Sequence, residues 1–391
     1  MQNLWNDEKA SSLKTDLEFR VYTSNLLGAS DELVLHGGGN TSVKSVVDGE
    51  DILFVKGSGW DLVSIKEEGF APVKLEVLKQ MAKLESLSDS DMVSQQKAAM
   101  IDKTAPNPSV EAILHAIIPY KFVDHTHSDA VVTISNCVNG IENIKKVFPN
   151  FLIIFYVMPG FILAQKIYEM SKDIDFDSID GIILHNHGIF TFDDDAKVAY
   201  TKMIDAVTKA EEFLNENADI QIEKFMPRVE VDLQELQKIL SDEKGYEVSL
   251  KVNQSPLALH YASQRDLKTF ATRGVLTPEH IIRTKREPLI LEDNNIQKAI
   301  DRYKENYIEY FKKFAKDETM LNPSPNYIVV KNYGTITIGK NEKEANIIDD
   351  IITHTMKAVL QADKLGGYES ISLKNSFEME YWELEQAKLK K

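Results

Sequence analysis

Cysteine is all but missing from this chain: Cys137 is the single thiol in 391 residues. No disulfide can therefore close within it, no cysteine-built zinc site exists, and a reducing, cytoplasmic setting is the expectation. Basic charge is scarce as well. The 45 Lys and Arg against 61 Asp and Glu leave a net charge of −16, which argues against nucleic acid or an anionic membrane as the main partner. The one local basic cluster, Arg283 to Arg286, is too short to reverse that. No run approaches the ~18 uninterrupted apolar residues of a membrane span, and Met1 to Glu8 has neither the basic start nor the apolar core of a secretion signal. The longest apolar stretch, Phe151 to Ala164, is interrupted by Pro159-Gly160 and reads as a buried strand followed by a helix.

What is present is an ordinary globular composition, 43% apolar, over a length that suits two domains. The pattern suggests residues 1–225 as the first and 226–391 as the second. An amphipathic helix over residues 9–26 leads to a strand at Glu32–Leu35, the turn Gly37-Gly38-Gly39-Asn40, and a strand at Ile52–Val55 ending in Gly57-Ser58-Gly59. A polar, helix-rich stretch runs to residue 104. Ser109, after Pro106-Asn107-Pro108, is the expected N-cap of a helix from Val110 to Ile118. Ala196 to Leu214 closes the first unit as a helix, and 226–254 reads as a connector with one short helix.

The second unit echoes the first. Asn186-His187-Gly188-Ile189-Phe190-Thr191 aligns with Asn332-Tyr333-Gly334-Thr335-Ile336-Thr337, each followed by a charged turn and an amphipathic helix. A degenerate second lobe is one reading, and chance likeness of strand-turn-helix units is the other. In either case Tyr333 stands where a histidine would be needed, so no metal is expected there.

Histidine carries the strongest chemical signal. A lone histidine on an apolar strand reads as a core residue, but His125 and His127 sit two apart after Phe122-Val123, so on a strand both rings leave the same face. A third imidazole arrives in His185-Asn186-His187-Gly188, after the apolar run Ile182–Leu184. Spacing alone does not choose between His185 and His187. Three protein ligands leave one position open, the arrangement of catalytic rather than structural zinc. Glu111, placed in the first turn of a helix that runs into the His125 strand, is the candidate general acid/base, and His115 one turn later shares its face and can orient it. The turns around Gly37–Ser42 and Lys56–Gly59 offer backbone N–H groups and hydroxyls, among them Thr41 and Ser58, of the kind that hold phosphate, with Ser109 as a further hydroxyl. Neither matches a nucleotide-binding fingerprint.

Taken in order, Gly39-Asn40-Thr41-Ser42, Gly57-Ser58-Gly59, Pro108-Ser109-Val110-Glu111 with His115, His125-Thr126-His127-Ser128 and Asn186-His187-Gly188 resemble the class II aldolase/adducin family over residues 10–215. The whole chain is similar to the aldolase portion of bifunctional rhamnulose-1-phosphate aldolase/alcohol dehydrogenases, through Thr277-Pro278-Glu279-His280-Ile281-Ile282-Arg283-Thr284-Lys285, Leu365-Gly366-Gly367-Tyr368 and Glu380 to Lys388. In those proteins a short-chain dehydrogenase domain follows, whereas this sequence ends at Lys391.

That resemblance implies a three-layer α/β/α sandwich around a largely antiparallel sheet, with a C-terminal α/β extension. It implies zinc, or another divalent ion, on His125, His127 and His187, Glu111 as the acid/base, and phosphate on Asn40, Ser58, Gly59 and Ser109. Val110 departs from the second serine that phosphate-cleaving members often carry there. The implied reaction is retro-aldol cleavage of a ketose 1-phosphate, with a pentulose-phosphate 4-epimerase or a non-catalytic adducin-like role as alternatives. A homo-oligomer, tetramer or dimer, is expected, with His280, Arg283 and Lys285 as candidates to complete a site. A separate dehydrogenase chain docking around Tyr381, Trp382 and Leu384 is the remaining partner expectation, against a tail that packs on its own domain.

Overall fold

The computed structural model describes residues 1–293 and 295–386; Ala387 and Lys388, named above, lie outside them. Contacts divide the chain into one unit of residues 1–135 and 141–213 and another of residues 136–140 and 214–391. The division after Phe213 puts the connector wholly in the second unit, so residue 225, the boundary read from the sequence pattern, falls inside it.

The first unit is built on a seven-stranded sheet. Its strands are β1 (Asn40–Val47), β2 (Glu50–Lys56), β3 (Phe70–Lys74), β4 (Phe122–Thr126), β5 (Phe151–Ile154), β6 (Gly181–Leu184) and β7 (Gly188–Asp193), in the order β3-β2-β1-β4-β7-β6-β5. Every pair is antiparallel except β5 with β6. Side-chain alternation then divides the unit into layers. Leu53, Val55, Val123, Ile182, Leu184, Phe190 and Phe192 pack among the helices Leu75–Met81, Ala112–Ile117 and Phe161–Ser171. On the opposite face Val43 and Phe122 meet Leu17, Phe19, Ala196 and Ala199 of the helices Asp16–Gly28 and Ala196–Asn217. This is the expected helix-sheet-helix sandwich with a mostly antiparallel centre.

Local readings needed correction in three places. The first helix is two, Asp7–Ala10 and Asp16–Gly28, because Thr15 and Glu18 form a reciprocal capping box that starts a new helix. Glu32–Leu35 is turn rather than strand, since the sheet begins only at Asn40. The stretch read as polar and helix-rich also contains a strand, β3, whose Ala71 and Val73 are fully buried.

The second unit holds a four-stranded sheet in the order β8-β11-β10-β9, from β8 (Ser249–Asn253), β9 (Leu289–Leu291), β10 (Tyr327–Val330) and β11 (Gly334–Gly339). One face buries Leu236 and Leu240 of Leu233–Lys244 and Ile296 and Ile300 of Ile296–Phe314, and Glu342–Lys364 also packs on β11 and β8. The echo seen in the sequence is structural. The β6/β7 pairs Ile182–Phe190, Ile183–Ile189 and Leu184–Gly188 recur as Ile328–Ile336, Val329–Thr335 and Val330–Gly334. Asn186 and Asn332 share a left-handed backbone, φ 59° and 58°. Thr191 and Thr337 each donate to the carbonyl eight residues on, Ala199 and Ala345. In the second copy Val252, opposite Ile336, takes the place of His125, opposite Phe190, and Tyr333 takes that of His187. Among the described residues of the tail, Tyr381 is buried, stacks on Phe377 at 4.6 Å and bonds to Tyr307.

Candidate functional site

Strand register assembles the site. Asn40 of β1, His125 of β4 and Phe190 of β7 lie opposite one another across the sheet, so their side chains share a face. Phe190 stacks on the His125 ring at 4.0 Å, fixing its plane. His125 Nδ1 donates to the Ile189 carbonyl at 3.0 Å, which leaves Nε2 with its lone pair outward. His127, one residue past the strand end, places its Nε2 3.0 Å from that of His125. The turn at Asn186 delivers His187, and the three rings stand edge-on to one another with centroids 4.8, 4.9 and 5.2 Å apart.

One ligand atom from each of His125, His127 and His187 lies within 4.8 Å of the others. Two nitrogens about 2.0–2.1 Å from one tetrahedral ion would be roughly 3.3 Å apart, close to the His125–His127 separation. The structure also chooses between the neighbouring histidines. His185 lies beside Phe155, 6.4 Å between ring centres, and burial lowers its pKa.

Glycine permits this approach. A Cβ on Gly188 would sit 2.4 Å from the Thr126 carbonyl and 2.9 Å from the His125 ring, so β7 can lie against the ligand strand only if that position is bare. Gly39, with φ 63°, faces the His125 carbonyl in the same way, at 2.7 Å from a built Cβ. On the other side of β4, Asp124 forms a fully buried ion pair with Arg20 at 2.5 Å. Arg20 also donates to the carbonyls of Ser42 and Val123, tying β1 to β4 beneath the imidazoles.

Glu111 approaches from the helix layer. Its Oε2 lies 3.5 Å from His125 Nε2 and its Oε1 3.8 Å from His187 Nε2. The helix was expected to start at Val110 with Ser109 as its N-cap, but it begins at Ala112, with Glu111 as its cap residue at φ −91°, ψ 8°. The Ser109 hydroxyl accepts from the Glu111 backbone N–H at 3.2 Å, holding that residue in the sparsely allowed bridge region.

A directed chain of hydrogen bonds orients the carboxylate. Asn40 Nδ2 donates to Glu111 Oε2 at 2.6 Å, so Asn40 Oδ1 must accept from His115 Nε2, and His115 Nδ1 in turn accepts from the Ser42 hydroxyl at 2.8 Å. His115 is thereby held neutral. Burial, and after it the neighbouring His125, Lys44 and Arg20, push its pKa well below the ordinary value. Glu111 Oε1 is buried with no hydrogen-bond partner among the described residues, a carboxylate atom left for something that arrives. Imidazole Nε2 lone pairs facing an acceptor oxygen fit a divalent cation and its ligand.

The expected phosphate groups divide. Ser58 and Ser109 come together because the Ser58 N–H donates to the Asn107 carbonyl and the Ser109 N–H to that of Lys56. Gly57 and Ser58 thus have their N–H groups occupied, which corrects the picture of an open backbone cradle; what Ser58 and Gly59 keep is an exposed position. Asn40 is already engaged by Glu111 and His115. Thr41 lies on the other sheet face, bonded to Ser24 at 2.8 Å, because the strand alternates.

Two residues that the sequence reading named only as parts of turns have roles here that it did not give them. Ser42 shares the Asn40 face and its spacing could have shown it. Lys56 is buried at the end of β2 and donates to the Gly37 carbonyl; burial lowers its pKa, against the pull of Asp61 and Glu111. A cation sensing Glu111 through space has no signature in sequence. His280, Arg283 and Lys285 belong to the second unit. There His280 is buried 3.9 Å from Glu279, Arg283 is exposed, and Lys285 is buried over Tyr307.

Residues 20–214 match the family described as the class II aldolase and adducin N-terminal domain, and residues 223–389 match aldolase class II, second domain. The N-terminal class II aldolase domain of a conserved protein from Thermoplasma acidophilum is 39% identical, covering 55% of this chain and 99% of its own, with a TM-score of 0.51. YgbL from Klebsiella pneumoniae, described as a putative aldolase/epimerase/decarboxylase, is 18% identical over 52% of this chain and 91% of its own, with a TM-score of 0.38. Uncharacterized oxidoreductase YuxG of Bacillus subtilis (strain 168) is 28% identical across 100% of this chain, which spans 60% of the length of that relative. Among the described residues no helix is long and apolar enough to cross a membrane.

Proposed function

The chain belongs to the class II aldolase/adducin family, and from that premise we propose that it reversibly cleaves a ketose 1-phosphate of the rhamnulose or fuculose type to dihydroxyacetone phosphate and an aldehyde. The observation that carries this reading is the convergence of His125, His127 and His187 with a single carboxylate, Glu111, on one face of the sheet. The three imidazoles would hold a divalent ion, for which zinc suits the donor set, and when bound it would supply Lewis-acid stabilisation of the negative charge that carbon–carbon cleavage leaves on the substrate oxygens.

The chain's own residues account for the proton. Cleavage sends the hydroxyl proton at the carbon that becomes the aldehyde to solvent, and one proton must be returned to the carbon that becomes the hydroxymethyl group of dihydroxyacetone phosphate. Glu111 delivers that proton from one carboxylate oxygen, and in synthesis it removes it. Asn40, locked by His115 and Ser42, keeps the carboxylate turned toward the histidines. Ser58, Gly59 and Ser109 are the groups we assign to the phosphate end. No lysine imine belongs to this reading.

Glu111→Gln preserves shape and removes the titrating group. It should retain metal and lose about 10²–10⁴-fold in cleavage rate, the usual worth of a general acid/base. The assay is aldehyde release from rhamnulose 1-phosphate and fuculose 1-phosphate, with metal content by elemental analysis. Undiminished turnover in the variant would exclude Glu111. Interconversion of pentulose phosphates with no free aldehyde would assign the site to 4-epimerisation instead. Neither reaction, with no bound metal, would favour an interaction protein.

A further inference from the structure

A second site suggests itself in the C-terminal unit, built from residues the proposed reaction does not use. A cleft of about 330 Å³ opens between the segment Lys285–Asp293 and the helix Ile296–Phe314. That is near the lower end of ligand-site volumes and leaves room for about eleven waters at roughly 30 Å³ each. A chain of net charge −16 lines this cleft with more cations than anions: Lys268, Lys285, Arg286, Lys298 and Arg302 against Glu287, Glu292 and Asp293.

The cations are not equivalent. Arg286 is spent internally, on Glu287 and on the carbonyls of Thr272 and Arg273. Lys285 lies deep in the wall, its ammonium 3.5 Å from the centre of the Tyr307 ring and bonded to the Asn322 carbonyl. Its backbone, at φ 59° and ψ 176°, occupies a region that is almost confined to glycine. Strain of that kind persists where the surroundings over-determine it, and here Thr284 Oγ1 bonds to the Lys285 carbonyl while Tyr307 bonds to buried Glu380. Lys298 and Arg302 remain, one helical turn apart on the same face. No carboxylate lies within ion-pair distance of either among the described residues, nor of Lys268.

The remaining wall is aromatic and amide. Tyr303 donates its hydroxyl to the Glu287 carbonyl and Tyr307 to Glu380, so their rings are what they offer the cleft. Asn306, one turn beyond Arg302, lines it with a side-chain amide. We propose that this cleft binds a small polyhydroxy phosphate ester. The dianion would sit on Lys298, Arg302 and Lys268, the hydroxyls on Asn306, and the carbon body on the tyrosine rings. Lys298 and Arg302 without carboxylate partners, with Lys268 acting only through space on Glu287, suit a dianion better than a single carboxylate, and a volume of about 330 Å³ suits a small ester.

The test is hydrogen–deuterium exchange on the full chain with dihydroxyacetone phosphate, glucose 6-phosphate and inorganic phosphate as probes, with affinities from calorimetry. Because the first unit is itself proposed to take sugar phosphates, each probe is also run on His127→Ala. The expected result is protection of peptides spanning residues 285–310 by either ester, unchanged in His127→Ala. Lys298→Gln and Arg302→Gln, both at exposed positions that leave folding intact, should each weaken it by about tenfold. Absence of protection in that segment, or full protection in both glutamine variants, overturns the site. Equal affinity for inorganic phosphate overturns the assignment to an ester. Failure of aldol cleavage leaves every one of these outcomes readable.

Discussion

At the scale of single residues the candidate site is a set of tautomers. His125 is committed by the Ile189 carbonyl to present Nε2, and His115, which donates to Asn40, is kept neutral by its burial. The second commitment has a measurable consequence. An unfolded histidine takes up a proton near pH 6.5, whereas His115 resists doing so until well below that, so under acid the folded state binds fewer protons than the unfolded. Its contribution to stability is therefore complete above pH 6.5 and is lost as pH falls below it. Urea denaturation at pH 7.0 and 5.5 should show the wild type losing up to about 1.4 kcal/mol per pH unit relative to His115→Gln. Parallel pH dependence in the two proteins would refute the buried neutral assignment. His125, His127, Glu111 and His115 were all legible from spacing, because strand and helix periods place them on common faces. Thr41 was not: its exclusion depends on which of the two strand faces meets the helix layer.

Among elements, the two β-hairpins β6–β7 and β10–β11 are the most instructive pair. They share register, a left-handed asparagine and a glycine whose missing Cβ admits a neighbouring carbonyl, Thr126 O at 2.4 Å for Gly188 and Asn253 O at 2.3 Å for Gly334. Substituting alanine at either should cost about 2 kcal/mol or more, since the clash is with backbone rather than a yielding side chain. Only Gly188→Ala should in addition reduce metal content, because the His125 ring lies within 2.9 Å of the added methyl. Thermal denaturation and elemental analysis of the two variants would separate the shared backbone requirement from the site-specific one. Metal loss in both variants would contradict the assignment of chemistry to the first hairpin alone. The sequence showed this repeat through six aligned residues. It did not show that four strands follow the same order, because β4 and β8, like β5 and β9, share a backbone path without sharing side chains.

For the molecule as a whole, the division into two units predicts a divided response to metal. A divalent ion binding only the folded first unit at about 100 times its dissociation constant adds roughly 2.7 kcal/mol to that unit. Calorimetry before and after chelation should move one heat-absorption component and leave the other in place. Displacement of both by the same amount would mean that the units unfold as one. Taken alone, the sequence determined composition class, the α/β alternation, the three-histidine motif with Glu111, and the family likeness, since each is a matter of residue type at short spacing. Only the tertiary structure decided between His185 and His187, turned Thr41 away, tied Asn40 to Glu111, and raised a cationic cleft on the second unit. Those outcomes depend on which residues face one another across strands and helices remote in sequence, and that is settled by packing rather than by local pattern.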